Sequence, residues 1–189
     1  MNISFFDNIC EKYGKFRLSE FIDPCYAIFT INYKDKLISY NDGLISDELN
    51  TKCNEDFDFE NTNIAALYGQ RKLSDKYIEV FMISDKLLNC EDYELIELVI
   101  FHEVCHFIEK TDKLKILNIE FSNDEIAVGK FIQDFANHIN EFTGGWGVDI
   151  NHNEIFGSIL FHFIKQYDYD RRFILTSQAM IKNFLEDIS

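Results

Sequence analysis

Apolar residues recur along this chain at two spacings, and the change from one to the other divides it into elements. Residues 3–21 read as a first helix. Between 26 and 40 the period shortens to two: Tyr26-Ala27-Ile28-Phe29-Thr30-Ile31-Asn32-Tyr33 and Lys36-Leu37-Ile38-Ser39-Tyr40 flank the polar pair Lys34-Asp35. Alternating β-branched and aromatic residues on either side of such a pair predict a β-hairpin. Residues 41–65 are acidic and irregular, densest in charge at Glu55-Asp56-Phe57-Asp58-Phe59-Glu60. They read as a solvated loop, with a lid or a contact for a basic partner as the functional alternative. Residues 76–84 form a strand that feeds the next helix, either at the edge of the sheet or in its interior.

The helical period then returns. Residues 94–110 form one helix with a broad apolar surface made by Leu95, Leu98, Val99, Phe101, Cys105 and Ile108, and Asn89 with Asp92 supplies an N-cap and acidic first-turn residues. A second helix spans 122–142, a Gly-rich break follows at 143–147 around Trp146, and further helices are expected near 153–166 and 171–186. With 189 residues, 47% hydrophobic, the chain can bury a substantial core, and with one proline (Pro24) and no Pro/Gly/Ser linker it reads as a single domain, 1–189.

The chemistry is concentrated at His102-Glu103-Val104-Cys105-His106. At i and i+4 the two imidazoles leave one helical face and can take adjacent corners of a tetrahedral zinc site, each nitrogen roughly 2.0–2.1 Å from the ion. Glu103 lies about 100° further round, placed to polarise a water rather than to bind metal. Ordinary core or surface histidines are the plain alternative, but an unpaired imidazole on so apolar a helix is costly. A catalytic zinc needs a third protein ligand. The downstream candidates are Asp124, Glu125, His138, His152 and His162. Glu125 shares a face with Val128, Gly129, Ile132, Ala136 and Ile139, while Asp124 shares one with Ala127, Phe131, Phe135 and His138, so periodicity does not choose between the acids. Spacing and side-chain reach favour Glu125. Gly129 would relieve bulk where this helix approaches the histidine helix.

His102, Glu103, His106 and Glu125 together spell HExxH with eighteen intervening residues before a glutamate. That pattern resembles the gluzincin metallopeptidases, and Asp124-Glu125-Ile126-Ala127 is similar to the run around their third ligand. The resemblance covers about residues 78–142. It implies Zn2+ held by His102, His106 and Glu125, with Glu103 as general base toward a peptide carbonyl. The chain departs from the aminopeptidase branch, having no GxMEN segment, and Gly129 stands where a further acid often supports the histidines. A weaker similarity links Phe135-Ala136-Asn137-His138-Ile139 to ImmA/IrrE-like peptidases. The entry into the HExxH helix resembles SprT-like proteases, which use a third histidine and act on DNA.

Charge speaks against nucleic acid, since 33 acidic and 18 basic residues leave a net charge of −15 that repels phosphate. No signal-like N-terminus and no apolar run of membrane-spanning length is present, so the expected setting is soluble and cytoplasmic, without membrane association. Five cysteines without a CxxC pair read as reduced thiols, with Cys105 as packing between the histidines. Oxyanion stabilisation would fall to one of His138, His152, Tyr167, Tyr169, Arg171 or Arg172; Trp146 reads as a packing anchor or as part of the cleft.

The combined expectation is an α+β, zincin-like single domain: a small sheet (hairpin plus edge strand) packed on an active-site helix, with a mainly helical C-terminal half. It would act as a zinc-dependent endopeptidase on a protein or peptide substrate. The rivals are a zinc-free interaction module and a structural zinc protein whose fourth ligand is a residue such as His138.

Overall fold

The computed structural model describes residues 1–14, 16–22, 25–60, 64–111, 113–143 and 152–165. The fold is α+β. The described residues divide into two compact units, the first ending at Phe107 and the second beginning at Ile108.

In the first unit, helix α1 (Ile3–Gly14) precedes strands β1 (Tyr26–Asn32) and β2 (Leu37–Gly43), helix α2 (Asp47–Glu55), strands β3 (Ala66–Leu73) and β4 (Lys76–Ser84), a short helix α3 (Asp85–Leu88) and helix α4 (Tyr93–Lys110), whose last turn passes into the second unit. α1 is shorter than the helix expected over 3–21. It ends at Gly14, and Leu18–Glu20 instead form a 3-10 turn. That turn is tied back to α1 by the buried Asp7 carboxylate, which accepts the Ser19 N–H at 2.8 Å and the Ser19 hydroxyl at 2.7 Å.

The strands form a mixed sheet in the order β2-β1-β4-β3, with β1 and β4 parallel and the two outer pairs antiparallel hairpins. The hairpin and the strand over 76–84 agree with the hydrophobic pattern. The expected edge position of that strand is corrected: its second half is buried on both faces, and among the described residues β4 lies inside the sheet, parallel to β1, with β2 and β3 as the outer strands. Strand β3 escapes a pattern search because Gln70-Arg71-Lys72 are polar and only its first half is buried. Ser74, at φ +52°, turns the chain so that Leu73 pairs with Lys76.

Period-two alternation sends Ala27, Phe29 and Ile31 of β1 and Ile78, Val80 and Met82 of β4 to one face, where Leu49 and Cys53 of α2 join them. On the opposite face Phe81 meets Phe6 of α1 at 4.9 Å between ring centroids and lies 6.2 Å from Phe107 of α4. Both faces of the sheet are therefore covered, and each buried Phe contributes about 1.5–3 kcal/mol by leaving water.

Residues 41–65 are not the irregular loop expected. Ser46 accepts the Leu49 N–H at 3.1 Å and starts α2, and Asp47 with Glu48 complements the positive end of the helix. Beyond α2, Asp56, Asp58 and Glu60 point to solvent while Phe57 and Phe59 turn inward and pack edge-on against Tyr33. Burial pushes the Tyr33 phenol up to about 12, and its hydroxyl donates to the Ile64 carbonyl at 2.8 Å.

The second unit contains a short helix α5 (Leu114–Leu117), α6 (Asn123–Thr143) and α7 (Glu154–Lys165). α6 and α7 touch through glycines. A Cβ on Gly129 would lie 2.3 Å from the Glu154 carbonyl oxygen and 2.3 Å from Ser158 Oγ, and one on Gly157 would lie 2.8 Å from Gly129 Cα. Gly129 thus admits α7, a correction to its expected role against the histidine helix. Trp146, Tyr167, Tyr169, Arg171, Arg172 and the helix expected over 171–186 lie outside the described residues. No described helix is long and apolar enough to cross a membrane.

Candidate metal centre

α4 begins at Tyr93, one residue before the expected Glu94, but its cap is Asp92, whose Oδ1 accepts the Leu95 N–H at 3.0 Å; the expected cap Asn89 instead ends α3, its N–H bonded to the Asp85 carbonyl. From Phe101 to Ile108 every residue is buried. Such a stretch should be wholly apolar, since an ionisable side chain there costs folding energy unless a partner repays it. His102, Glu103 and His106 break that rule within five residues. One helical turn brings the imidazoles of His102 and His106 to 4.9 Å between ring centroids, inclined at 78°. Val104 and Cys105 fill the remaining faces as packing groups, and no disulfide joins any of the five cysteines.

Glu103 projects elsewhere. Its Oε2 accepts the main-chain N–H of Tyr68 at 2.7 Å, a buried hydrogen bond between mid-helix and the edge strand β3. The Tyr68 ring lies edge-on to Phe107, 5.9 Å between centroids, and 5.2 Å from Phe81. Its hydroxyl donates to Glu79 Oε2, and Gln70 Nε2 donates to the other Glu79 oxygen at 3.0 Å. Burial, reinforced by the Glu79 carboxylate, pushes the Tyr68 phenol well above its ordinary value, so it remains protonated. Pattern reasoning gave no sign of Tyr68. The signal that could have found it is the polar pair Ser74-Asp75 just before β4, a turn like the one between β1 and β2 and so a hint of a preceding strand.

In the second unit, Glu125 is buried and Asp124 exposed, so of the two acids it is Glu125 that faces inward. Both Glu125 oxygens are engaged. Oε2 accepts the Ser122 N–H at 2.7 Å while Ser122 Oγ accepts the Glu125 N–H at 3.4 Å, the reciprocal capping box of an S-x-x-E helix start. Oε1 lies 3.1 Å from His162 Nδ1 on α7 and 3.9 Å from Lys165 Nζ. Burial alone would raise this carboxyl, but the Ser122 N–H and His162 outweigh it and hold the group below its ordinary value. Ser158 completes the joint, its hydroxyl lying 2.8 Å from the Glu154 carbonyl and 3.2 Å from that of Glu125.

His152 precedes α7, buried, with its ring 4.6 Å from that of Phe156. Asn153 caps the helix, accepting the Phe156 N–H at 2.9 Å, and its amide bonds Glu109. The His138 side chain lies outside the described residues. Family models, curated proteins and solved structures all return no match to this chain, so its chemistry is read from these residues themselves.

Proposed function

We propose that this protein is a zinc-dependent hydrolase that cleaves peptide bonds, with His102 and His106 as metal ligands and Glu103 as general base. The observation that carries the reading is the paired imidazoles on one buried face of α4, with Glu103 turned aside onto the strand β3. Two imidazoles one turn apart are a donor set that suits zinc and other borderline metals.

For the third ligand we prefer His152 to Glu125. Both oxygens of Glu125 serve the start of α6 and its contact with α7. His152, the buried imidazole that precedes α7, is of the residue type that completes a three-histidine zinc set. When bound, zinc supplies Lewis-acid polarisation of the scissile carbonyl and of a water. The protein's own work is then proton transfer. Glu103 takes the proton of the attacking water and returns it to the departing amine, while its position off the ligand axis leaves it outside the metal shell. Reduced thiols fit a cytoplasmic setting, and the acidic surface fits a protein or peptide substrate better than nucleic acid.

The test combines metal content by mass spectrometry, coordination number by X-ray absorption and hydrolysis of a peptide library. Zinc held at one ion per chain with an open position, together with peptide cleavage, is expected. A zinc-free chain, or one whose zinc has four protein ligands and no turnover, overturns the reading.

A further inference from the structure

We propose that the main-chain N–H of Tyr68 is the positioning donor for the general base, so that the edge strand β3 sets the orientation of Glu103. The inference rests on the reading of Glu103 as that base. Tyr68 meets α4 twice: its N–H bonds Glu103 Oε2 at 2.7 Å, and its ring lies edge-on to Phe107, four residues further along the same helix face. Contacts at i and i+4 fix both the rotation and the height of one helical face against one strand residue. A carboxylate held this way cannot turn about its terminal bond without giving up a buried, charge-assisted hydrogen bond.

The donor is also well anchored. β3 pairs with β4 from Ala66↔Ile83 to Leu73↔Lys76, and the Tyr68 ring is braced by Phe81, its cross-strand partner, as well as by Phe107. Among the described residues β3 has a strand neighbour on one side only, so a main-chain donor directed away from β4 is available to a side chain. A main-chain donor is present whatever the side chain, but it keeps its place only while the ring is anchored. Tyr68 is therefore a positioning residue whose backbone acts and whose side chain holds that backbone in register.

Two measurements test this, one independent of turnover. In amide hydrogen exchange, the Tyr68 N–H is expected to be protected in the parent and in Glu103→Gln, whose amide oxygen still accepts, and to exchange at least roughly tenfold faster in Glu103→Ala. Equal protection in parent and Glu103→Ala overturns the contact. In peptide hydrolysis, Tyr68→Leu keeps the N–H but loosens its anchor, and kcat should fall about tenfold with KM and zinc content unchanged. Tyr68→Phe keeps ring and N–H and should restore parental kcat. A parental kcat in Tyr68→Leu, or a change confined to KM, overturns the positioning role. If the parent hydrolyses no peptide, the proposed function fails, whereas the exchange contrast still decides whether β3 holds Glu103.

Discussion

Glu103 and Glu125 are both buried helical carboxylates, at 7% and 5% exposure, yet they are held by different kinds of partner. Burial alone cannot separate them. Glu125 stands in the first turn of α6, where unsatisfied N–H groups and the positive helix end welcome an acid, and its cap partner Ser122 is three residues away. Glu103 stands mid-helix, where no main-chain donor of its own helix is open, and its partner comes from a strand 35 positions earlier. An acid explained by the helix that carries it asks for no function. One that helix physics would exclude, yet that is kept beside two buried histidines, does.

The sharpest way to break this contrast is Glu103→Gln. Hydrolysis should fall by roughly 10²–10⁴-fold, as when a general base is lost, while zinc content and melting temperature stay near the parent. Unchanged cleavage by a zinc-loaded variant would leave Glu103 as no more than a strand contact. Next in size is metal affinity. His102→Ala and His152→Ala should each weaken zinc binding by more than the roughly 10–100-fold typical of a lost outer partner, whereas Glu125→Gln should retain it. Titration with a chromophoric chelator ranks the three, and a strong loss in Glu125→Gln would restore that residue as the third ligand. Chelation of the parent should lower its melting temperature, because an ion that binds only the folded chain stabilises it.

Smaller effects belong to the structural acid. The Glu125 carboxyl sits below its ordinary value of 4.5, so its contribution to stability is complete above that value and is lost as pH falls through the lowered one. Melting curves from pH 7 to pH 3 should show Glu125→Gln less stable than the parent at neutral pH, with the difference narrowing in acid. A constant difference would mean that charge is not what the joint uses. Smallest is Ser122→Ala, which removes half of the cap at about 0.5–2 kcal/mol without changing zinc content.

Much of this was written in the sequence, and what was missed shares a physical cause. α4, β1, β2, β4, α6 and α7 follow from local periodicity, whereas the expected cap of α4, Asn89, belongs to the end of α3. The acidic run 41–65 hid α2 because only Leu49 and Cys53 face its core, and β3 hid because half of it is polar. The interior place of β4 depends on its parallel pairing with β1, a contact between distant segments that no local pattern encodes. Ser122-Asn123-Asp124-Glu125 is the instructive case. The same glutamate fits a metal-ligand spacing and a capping box, and the serine three residues before it is what marks the second.

The sheet order also bears on how the chain folds. β1–β2 and β3–β4 each pair neighbours in sequence, and only the parallel β1–β4 join closes a long loop. Local hairpins form at small entropic cost, whereas that single join carries the larger loop-closure cost. Strand β3, strand β4 and the first part of α4 all lie between Ala66 and Phe107, within one run of chain. The proposed base and its proposed main-chain donor therefore belong to one supersecondary segment, and their contact needs no pairing with the distant half of the sheet.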